Sequence, residues 1–210
     1  MSQIDFIKQY VPDLSKEAED HAYKGSDDFV KNYAATTANR DHISKLLNHR
    51  LFYARVAAAS NPNASDEQID FAMKHDHPKM RAAAASNTSA KEHHIDIALN
   101  DYSQYGSAVR VAAAKNPNAN PRQINDALSD RFSAVRVSAA ENTNIKSQEL
   151  FRALNDFEEK SSHKVRAAAA RNPNVTKEHL DKALTDPDDR VVESATQNPR
   201  YRGFFPNGHS

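Results

Sequence analysis

A ten-residue segment that recurs along most of this 210-residue chain limits its possible folds more than any other feature. It reads VRVAAAKNPN from Val109 to Asn118. Six related segments accompany it, of which the first and last are degenerate: KNYAATTAN from Lys31, RVAAASNPN from Arg55, RAAAASNTS from Arg81, RVSAAENTN from Arg136, RAAAARNPN from Arg166 and VESATQNPR from Val192. Between positions 31, 55, 81, 110, 136, 166 and 192 the steps run from 24 to 30 residues. Such a period is typical of solenoids, in which each unit buries its apolar face only against its neighbours.

Each unit predicts two short helices joined by a turn. The first half is rich in alanine, a strong helix former, and it ends at Asn172-Pro173-Asn174 or an equivalent stretch, because proline cannot continue the helix. In the second half Thr176 is a suitable N-cap. Apolar residues then follow at i, i+3 and i+4, the spacing of one helix face. This face recurs in five units: Ile69/Ala72/Met73, Ile95/Ala98/Leu99, Ile124/Ala127/Leu128, Leu150/Ala153/Leu154 and Leu180/Ala183/Leu184.

We therefore predict an all-α protein with three segments. Residues 29–200 form an α-solenoid of two-helix repeats of about 26 residues each. Residues 1–28 lie outside the repeat and are expected to be an N-terminal helical cap, because Ile4, Ile7 and Val11 have helical spacing. Residues 201–210 are expected to be an irregular C-terminal tail.

The repeat unit resembles a known family. The pattern D-x-P-x-V-R-x-A-A-A-x-N-P-N, followed by a helix carrying L-x-x-A-L, is similar to the leucine-rich repeat variant and, more broadly, to HEAT-like repeats. Its best matches are Asp186–Val191 and Val165–Asn174. The resemblance covers residues 29–200 and implies short helices, some of 3₁₀ type, stacked into a right-handed superhelix. It is specific for architecture and nearly silent on function. A cysteine-ligated cluster found with such repeats does not carry over, because this chain has no cysteine.

Composition narrows the possible functions. The 28 basic and 28 acidic residues cancel, so the chain lacks the overall basic excess that is typical of non-specific nucleic-acid or membrane binders. No apolar run is long enough to cross a membrane, and we expect a cytoplasmic protein. No nucleotide-binding glycine loop and no hydrolase or metalloprotease motif is present, so we predict no cofactor and no enzymatic activity. The closest histidine groups, His75/His77 and His93/His94, lack a matched second ligand pair, and we expect them to face solvent without a metal.

Three polar columns recur with the repeat. The arginines could form a cationic ladder for phosphates, but each repeat also offers an aspartate, and buried charges are tolerated when they are paired. We therefore interpret both columns as an inter-repeat ladder, and the asparagines as a second one that bonds neighbouring backbone. The columns are Lys31, Arg55, Arg81, Arg110, Arg136 and Arg166; Asp76, Asp101, Asp130, Asp156 and Asp186; and Asn61, Asn87, Asn116, Asn142, Asn172 and Asn198.

Binding residues are sought where the repeats differ. The loops from Asp101 and from Asp156 are longer than the others, and insertions in a solenoid map to one edge, often the binding edge. Aromatic residues are enriched in interface hot spots. The inter-repeat loops carry four aromatic candidates for partner contacts, or alternatively covers for the adjacent helix ends: Tyr102, Tyr105, Phe132 and Phe157.

We predict a scaffold that binds another macromolecule, a protein before all others, through one edge or the concave face. One alternative is a nucleic-acid-associated protein. Some HEAT-like solenoids are DNA glycosylases, but those resemblances depend on groove aromatics that include tryptophan, and this sequence has none. A purely structural or assembly component is the third possibility.

Overall fold

The structure is a computed structural model that describes residues 27–159, 161–206 and 208, and it confirms the predicted all-α class. No strand occurs in these ranges. The described helices are α1 (Asp27–Thr36), α2 (Arg40–Leu47), α3 (Phe52–Ala59), α4 (Asp66–Met73), α5 (Pro78–Ser86), α6 (Glu92–Leu99), α7 (Gly106–Lys115), α8 (Pro121–Ala127), α9 (Ser133–Glu141), α10 (Ser147–Leu154), α11 (Ser162–Arg171), α12 (Lys177–Leu184), α13 (Asp189–Thr196) and α14 (Tyr201–Phe204).

The helices form two layers, as a stacked repeat requires. The odd-numbered, alanine-rich helices, here called A helices, each pack on the preceding and following A helix. The even-numbered helices, the B helices, do the same in the second layer. Alanines such as Ala58, Ala84 and Ala139 are fully buried. Because alanine has no atoms beyond Cβ, the A helices approach closely, and larger residues would overpack the layer.

The B helices bury the face that the sequence predicts. Their anchors Ile69, Ile95, Ile124, Leu150 and Leu180 are at most 1% exposed and belong to one apolar core that runs through the stack. These helices are eight residues long or shorter, too short to be stable alone. Their stability therefore depends on stacking against the adjacent repeats.

The boundaries of the helices follow local chemistry. The A helices α5, α7 and α9 each end at an asparagine whose backbone is extended, with ψ near 130° at Asn87, Asn116 and Asn142. The B helices α4 and α8 begin with capping boxes, in which the N-cap residue and the third helical residue bond each other's backbone. Thr176 is the N-cap of α12, as predicted, and its backbone N–H donates to Nδ1 of His179 at 2.8 Å.

Two details differ from expectation. The resemblance implies some 3₁₀ helices, but each described helix is an α-helix. The tail from residue 201 begins with the short helix α14. Phe205, which follows it, is 8% exposed, because the rings of Tyr201, Phe204 and Phe205 pack against the end of the core. The predicted N-terminal cap lies outside the described residues except for the first residues of α1. None of the described helices combines the length and apolarity that crossing a lipid bilayer demands.

Candidate functional site

The recurring asparagines join each repeat to the one before it. Asn116 is buried, and its Nδ2 donates to the carbonyl oxygens of Ala85 at 2.7 Å and Asn87 at 2.9 Å. Its Oδ1 accepts from the backbone N–H of Asn118 at 2.8 Å. The side chain therefore has a partner for both of its donor hydrogens. The same pair of donated bonds to the preceding repeat is made by Asn61, Asn87, Asn142, Asn172 and Asn198.

Four of the recurring arginines are paired with an aspartate twenty positions later. The Nε–Oδ2 distances are 2.6 Å for Arg81–Asp101, Arg110–Asp130 and Arg136–Asp156, and 2.7 Å for Arg166–Asp186. All eight side chains are at most 14% exposed. These cations are therefore neutralised and withdrawn from solvent.

Each ladder arginine also holds its own repeat. Nη1 of Arg136 donates to the carbonyl oxygen of Asp130 at 2.8 Å, so consecutive rungs are linked through one aspartate. Burial alone would raise the pKa of the Asp101 carboxyl, but hydrogen bonds from Arg81 and Ser103 outweigh it and lower that pKa. The carboxylate is thus kept ionised by the contacts that stack the repeats.

The ladder is interrupted at Arg55. The residue twenty positions later is His75, so the assignment of Asp76 to the aspartate column is wrong by one residue. Nη1 of Arg55 donates to the carbonyl oxygen of His49 at 2.7 Å, but its Nε is buried and has no hydrogen-bond partner. His75 keeps the local turn, because its Nδ1 accepts the N–H of His77 at 2.9 Å. Burial and the Arg55 charge lower the pKa of His75.

Restoring the missing carboxylate should stabilise the protein. We expect His75→Asp to retain the turn and to give Arg55 Nε a charged acceptor, which raises the free energy of unfolding by about 1–2 kcal/mol. Urea denaturation followed by circular dichroism measures it. The control is Asp76→Ala, an exposed neighbour, expected within about 0.5 kcal/mol of wild type. A His75→Asp protein no more stable than wild type would contradict the proposed rung.

A third inter-repeat contact escaped the sequence reasoning. In α4, α8 and α12 the third residue of the B helix reaches back to the B helix before it: Nε2 of Gln123, for example, donates to the carbonyl oxygen of Glu92 at 2.8 Å. His179 lies 2.9 Å from the carbonyl oxygen of Ser147 in the same way. His94 occupies this position in α6 and is fully buried, so the expectation that it faces solvent is wrong. The position varies among Gln, His and Glu, which hid the column.

The four aromatic candidates do not form one cluster. Tyr102 and Phe132 both cover the Arg110 guanidinium, at 4.9 and 5.5 Å from their ring centres. Phe157 covers Arg166 at 4.0 Å. Cation–π contacts of this kind shield the buried ion pairs from water while the outer ring faces remain open. The four side chains are 42 to 67% exposed.

Tyr105 lies instead at an open groove of about 1200 Å³ between α5, α6 and α7. Its apolar lining includes Pro78, Ala82, Val109 and Ile97, the last of which is 49% exposed although it is on a B helix. The charged lining residues are three cations and two anions, so the groove has a formal charge of +1: Lys74, Lys79, Arg81, Asp76 and Asp101.

Gly106 is needed where this groove closes on the long loop. A Cβ at this position would lie 2.0 Å from the carbonyl oxygen of Asp101, so only glycine fits there without displacing the loop. Its N–H donates to the carbonyl oxygen of Ser103 at 2.9 Å. The loop therefore folds back over the ladder and presents Tyr105 at the groove.

A solved structure described as "a leucine-rich repeat variant with a novel repetitive protein structural motif" matches the chain with a TM-score of 0.56. The match covers 90% of this chain and 78% of the other at 20% sequence identity. The fold is that of a leucine-rich repeat variant. No protein-family model matches the chain, and neither does the sequence of any curated protein.

On the leucine-rich repeat variant fold, the groove combines residues of the repeated helices with a loop insertion that supplies one of its edges. The loop between α6 and α7 carries extra residues, and Tyr105 is the only one of the four predicted aromatics that lines the groove. Sequence reasoning missed Ile97. A comparison of the repeats could have found it, because Ile97 is apolar at a B-helix position where later repeats have the charged residues Asp126, Arg152 and Lys182.

Proposed function

We propose that the chain is a non-enzymatic scaffold that binds a segment of a partner protein in the groove beside Ile97 and Tyr105. The observation that carries this proposal is the pair of large, half-exposed apolar side chains in a concave site. Apolar and aromatic lining with few polar groups is typical of sites that hold an inserted side chain.

The charges around the groove favour a particular kind of segment. Arg81 and Asp101 neutralise each other in the ladder, which leaves Lys74, Lys79 and Asp76 at the rim. We therefore expect the segment to insert an apolar side chain and to carry an acidic residue beside it.

The state of the arginine column supports a protein partner over nucleic acid. Phosphate binding needs cations that solvent and ligand can reach. The side chains of Arg110 and Arg136 are 1% exposed and already paired with carboxylates. The recurring arginines are thus engaged in stacking the repeats. The groove beside Ile97 and Tyr105 is therefore the better candidate for binding a partner.

Affinity capture tests the proposal, with the full chain as bait and with lysate that has and has not been treated with nuclease. We expect wild type to retain proteins that Ile97→Ser/Tyr105→Ser loses. Phe71→Ser is the matched control, because Phe71 has the same position one repeat earlier, is 44% exposed and does not line the groove. All three baits should have similar melting temperatures, since single exposed residues contribute little to stability.

Three outcomes would contradict the proposal. The groove variant would retain the same proteins as wild type, or retention would depend on nucleic acid that the nuclease removes. Alternatively, the retained protein would be this chain itself, which light scattering would report as self-association and which would favour an assembly component.

A further inference from the structure

Two aspartates and two histidines, side chains of the types that bind metals, lie close together on the B helices of adjacent repeats. Asp66 and Asp70 lie one turn apart on α4, and His93 and His94 begin α6 in the next repeat. Nε2 of His93 is 4.0 Å from Oδ1 of Asp66 and 3.8 Å from Oδ1 of Asp70. Nε2 of His94 is 3.6 and 3.3 Å from the same two oxygens. None of these four residues lines the groove.

Two atoms of this cluster are buried without a hydrogen bond. They are Oδ1 of Asp66 and Nε2 of His94, whose side chain is 0% exposed. The other oxygen of Asp66 is bound by Lys91 Nζ at 2.7 Å. A buried carboxylate oxygen without a donor is costly, and such an atom calls for a cation or another explanation.

The hydrogen bonds of His94 decide its role. Its Nδ1 accepts the backbone N–H of Lys91 at 2.9 Å as part of the N-terminal cap of α6. In the neutral ring the proton is therefore on Nε2, which faces Oδ1 of Asp66 and of Asp70. His94 is thus placed to donate to a metal-bound carboxylate, not to coordinate the metal.

We propose that Oδ1 of Asp66, Oδ1 of Asp70 and Nε2 of His93 bind one divalent transition-metal ion, with Zn²⁺ as the best fit. Carboxylate and imidazole ligands are those of zinc, whose bonds to them are about 2.0–2.2 Å long, and water completes a tetrahedron. Ligand atoms around such an ion are about 3.4 Å apart. The His93 ring and the Asp70 carboxylate, 49 and 38% exposed, have room to shift toward Oδ1 of Asp66 until the three ligand atoms reach that spacing.

The imidazole ligand sets the metal class. Mg²⁺ and Ca²⁺ prefer sets made of oxygen alone, whereas zinc and its transition-metal neighbours accept nitrogen. Outer-shell donors hold ligating carboxylates in place, and Lys91 and His94 occupy those positions around Asp66 and Asp70. The ion would tie α4 to α6, and so join two adjacent repeats.

Titration calorimetry of the chelator-treated full chain with Zn²⁺ tests the site. We expect one ion per chain, with affinity at least about tenfold lower in His93→Ala and in Asp70→Asn, since loss of even an outer-shell partner has that effect. The matched control is His77→Asn, which removes an exposed histidine elsewhere and keeps a good N-cap, and it should bind as wild type does. Excess Mg²⁺ should not displace the zinc.

Cobalt gives an independent readout. Co²⁺ bound at the site should show visible absorption that His93→Ala abolishes. Equal zinc affinity in wild type and His93→Ala, or a loss of affinity in His77→Asn as large as in His93→Ala, would overturn the proposal. Both test positions are more than a third exposed, so the variants should fold, and their thermal unfolding checks it.

Discussion

Asn116→Ala should lower the free energy of unfolding by about 3 kcal/mol or more. The substitution removes both donors to the carbonyl oxygens of Ala85 and Asn87 and the acceptor for the Asn118 N–H. Each buried backbone group that loses its partner costs about 1–3 kcal/mol, and water has no access to replace the bond because Asn116 is 1% exposed. Urea denaturation followed by circular dichroism measures the effect.

The chain contains a matched control two residues away. Asn118 also donates through Nδ2 to two carbonyl oxygens of the preceding repeat, at 2.7 and 3.0 Å, but it is exposed. Water can satisfy those carbonyls after Asn118→Ala, so we expect a loss of less than about 1 kcal/mol. Equal losses for the two variants would mean that the buried asparagine column does not hold the repeats together.

Arg110→Met should cost about 3–5 kcal/mol, because it leaves the Asp130 carboxylate buried without its cation. The double variant Arg110→Met/Asp130→Asn should recover more than half of that loss. Asparagine removes the buried charge and still offers the acceptor that Asp130 provides to the Phe132 N–H at 2.8 Å. A double-mutant cycle on denaturant unfolding measures the coupling between the two residues.

An exposed ion pair supplies the comparison. Arg122 contacts Asp96 at 2.7 Å, but the two side chains are 55 and 38% exposed. Exposed pairs contribute about 0–1 kcal/mol, so Arg122→Met should change stability little. If Arg110→Met were as mild, or if the two substitutions at Arg110 and Asp130 were simply additive, the arginine ladder would not be the structural element described above.

The sequence predicted the parts of the fold that every repeat shares. The alanine layer, the B-helix anchors and the turn at each asparagine follow from short-range rules that act identically in each copy. The alignment of equivalent positions was less certain in a repeat whose sequence departs from the others. His75 replaces the expected carboxylate and its neighbour Asp76 carries one, so the sequence placed the column on the wrong residue.

The candidate sites were harder to predict, because they depend on contacts between repeats. Tyr105 was visible as a loop aromatic, but the groove also needs Ile97 on α6 and the close turn at Gly106. The metal cluster joins residues 27 positions apart, from Asp66 to His93, and no local spacing motif contains both. A comparison of the variable positions that lie next to each other in adjacent repeats would have brought these residues together.

The recurring arginines hold the repeats together and are not available to a ligand. A fluorescence-polarisation titration of the full chain with labelled duplex and single-stranded DNA, at low and at physiological salt, tests this claim most directly. The buried, paired column predicts no saturable binding at either salt concentration. Tight binding that weakens steeply with salt, with a slope of about −0.9 per phosphate contact in duplex DNA, would contradict the claim.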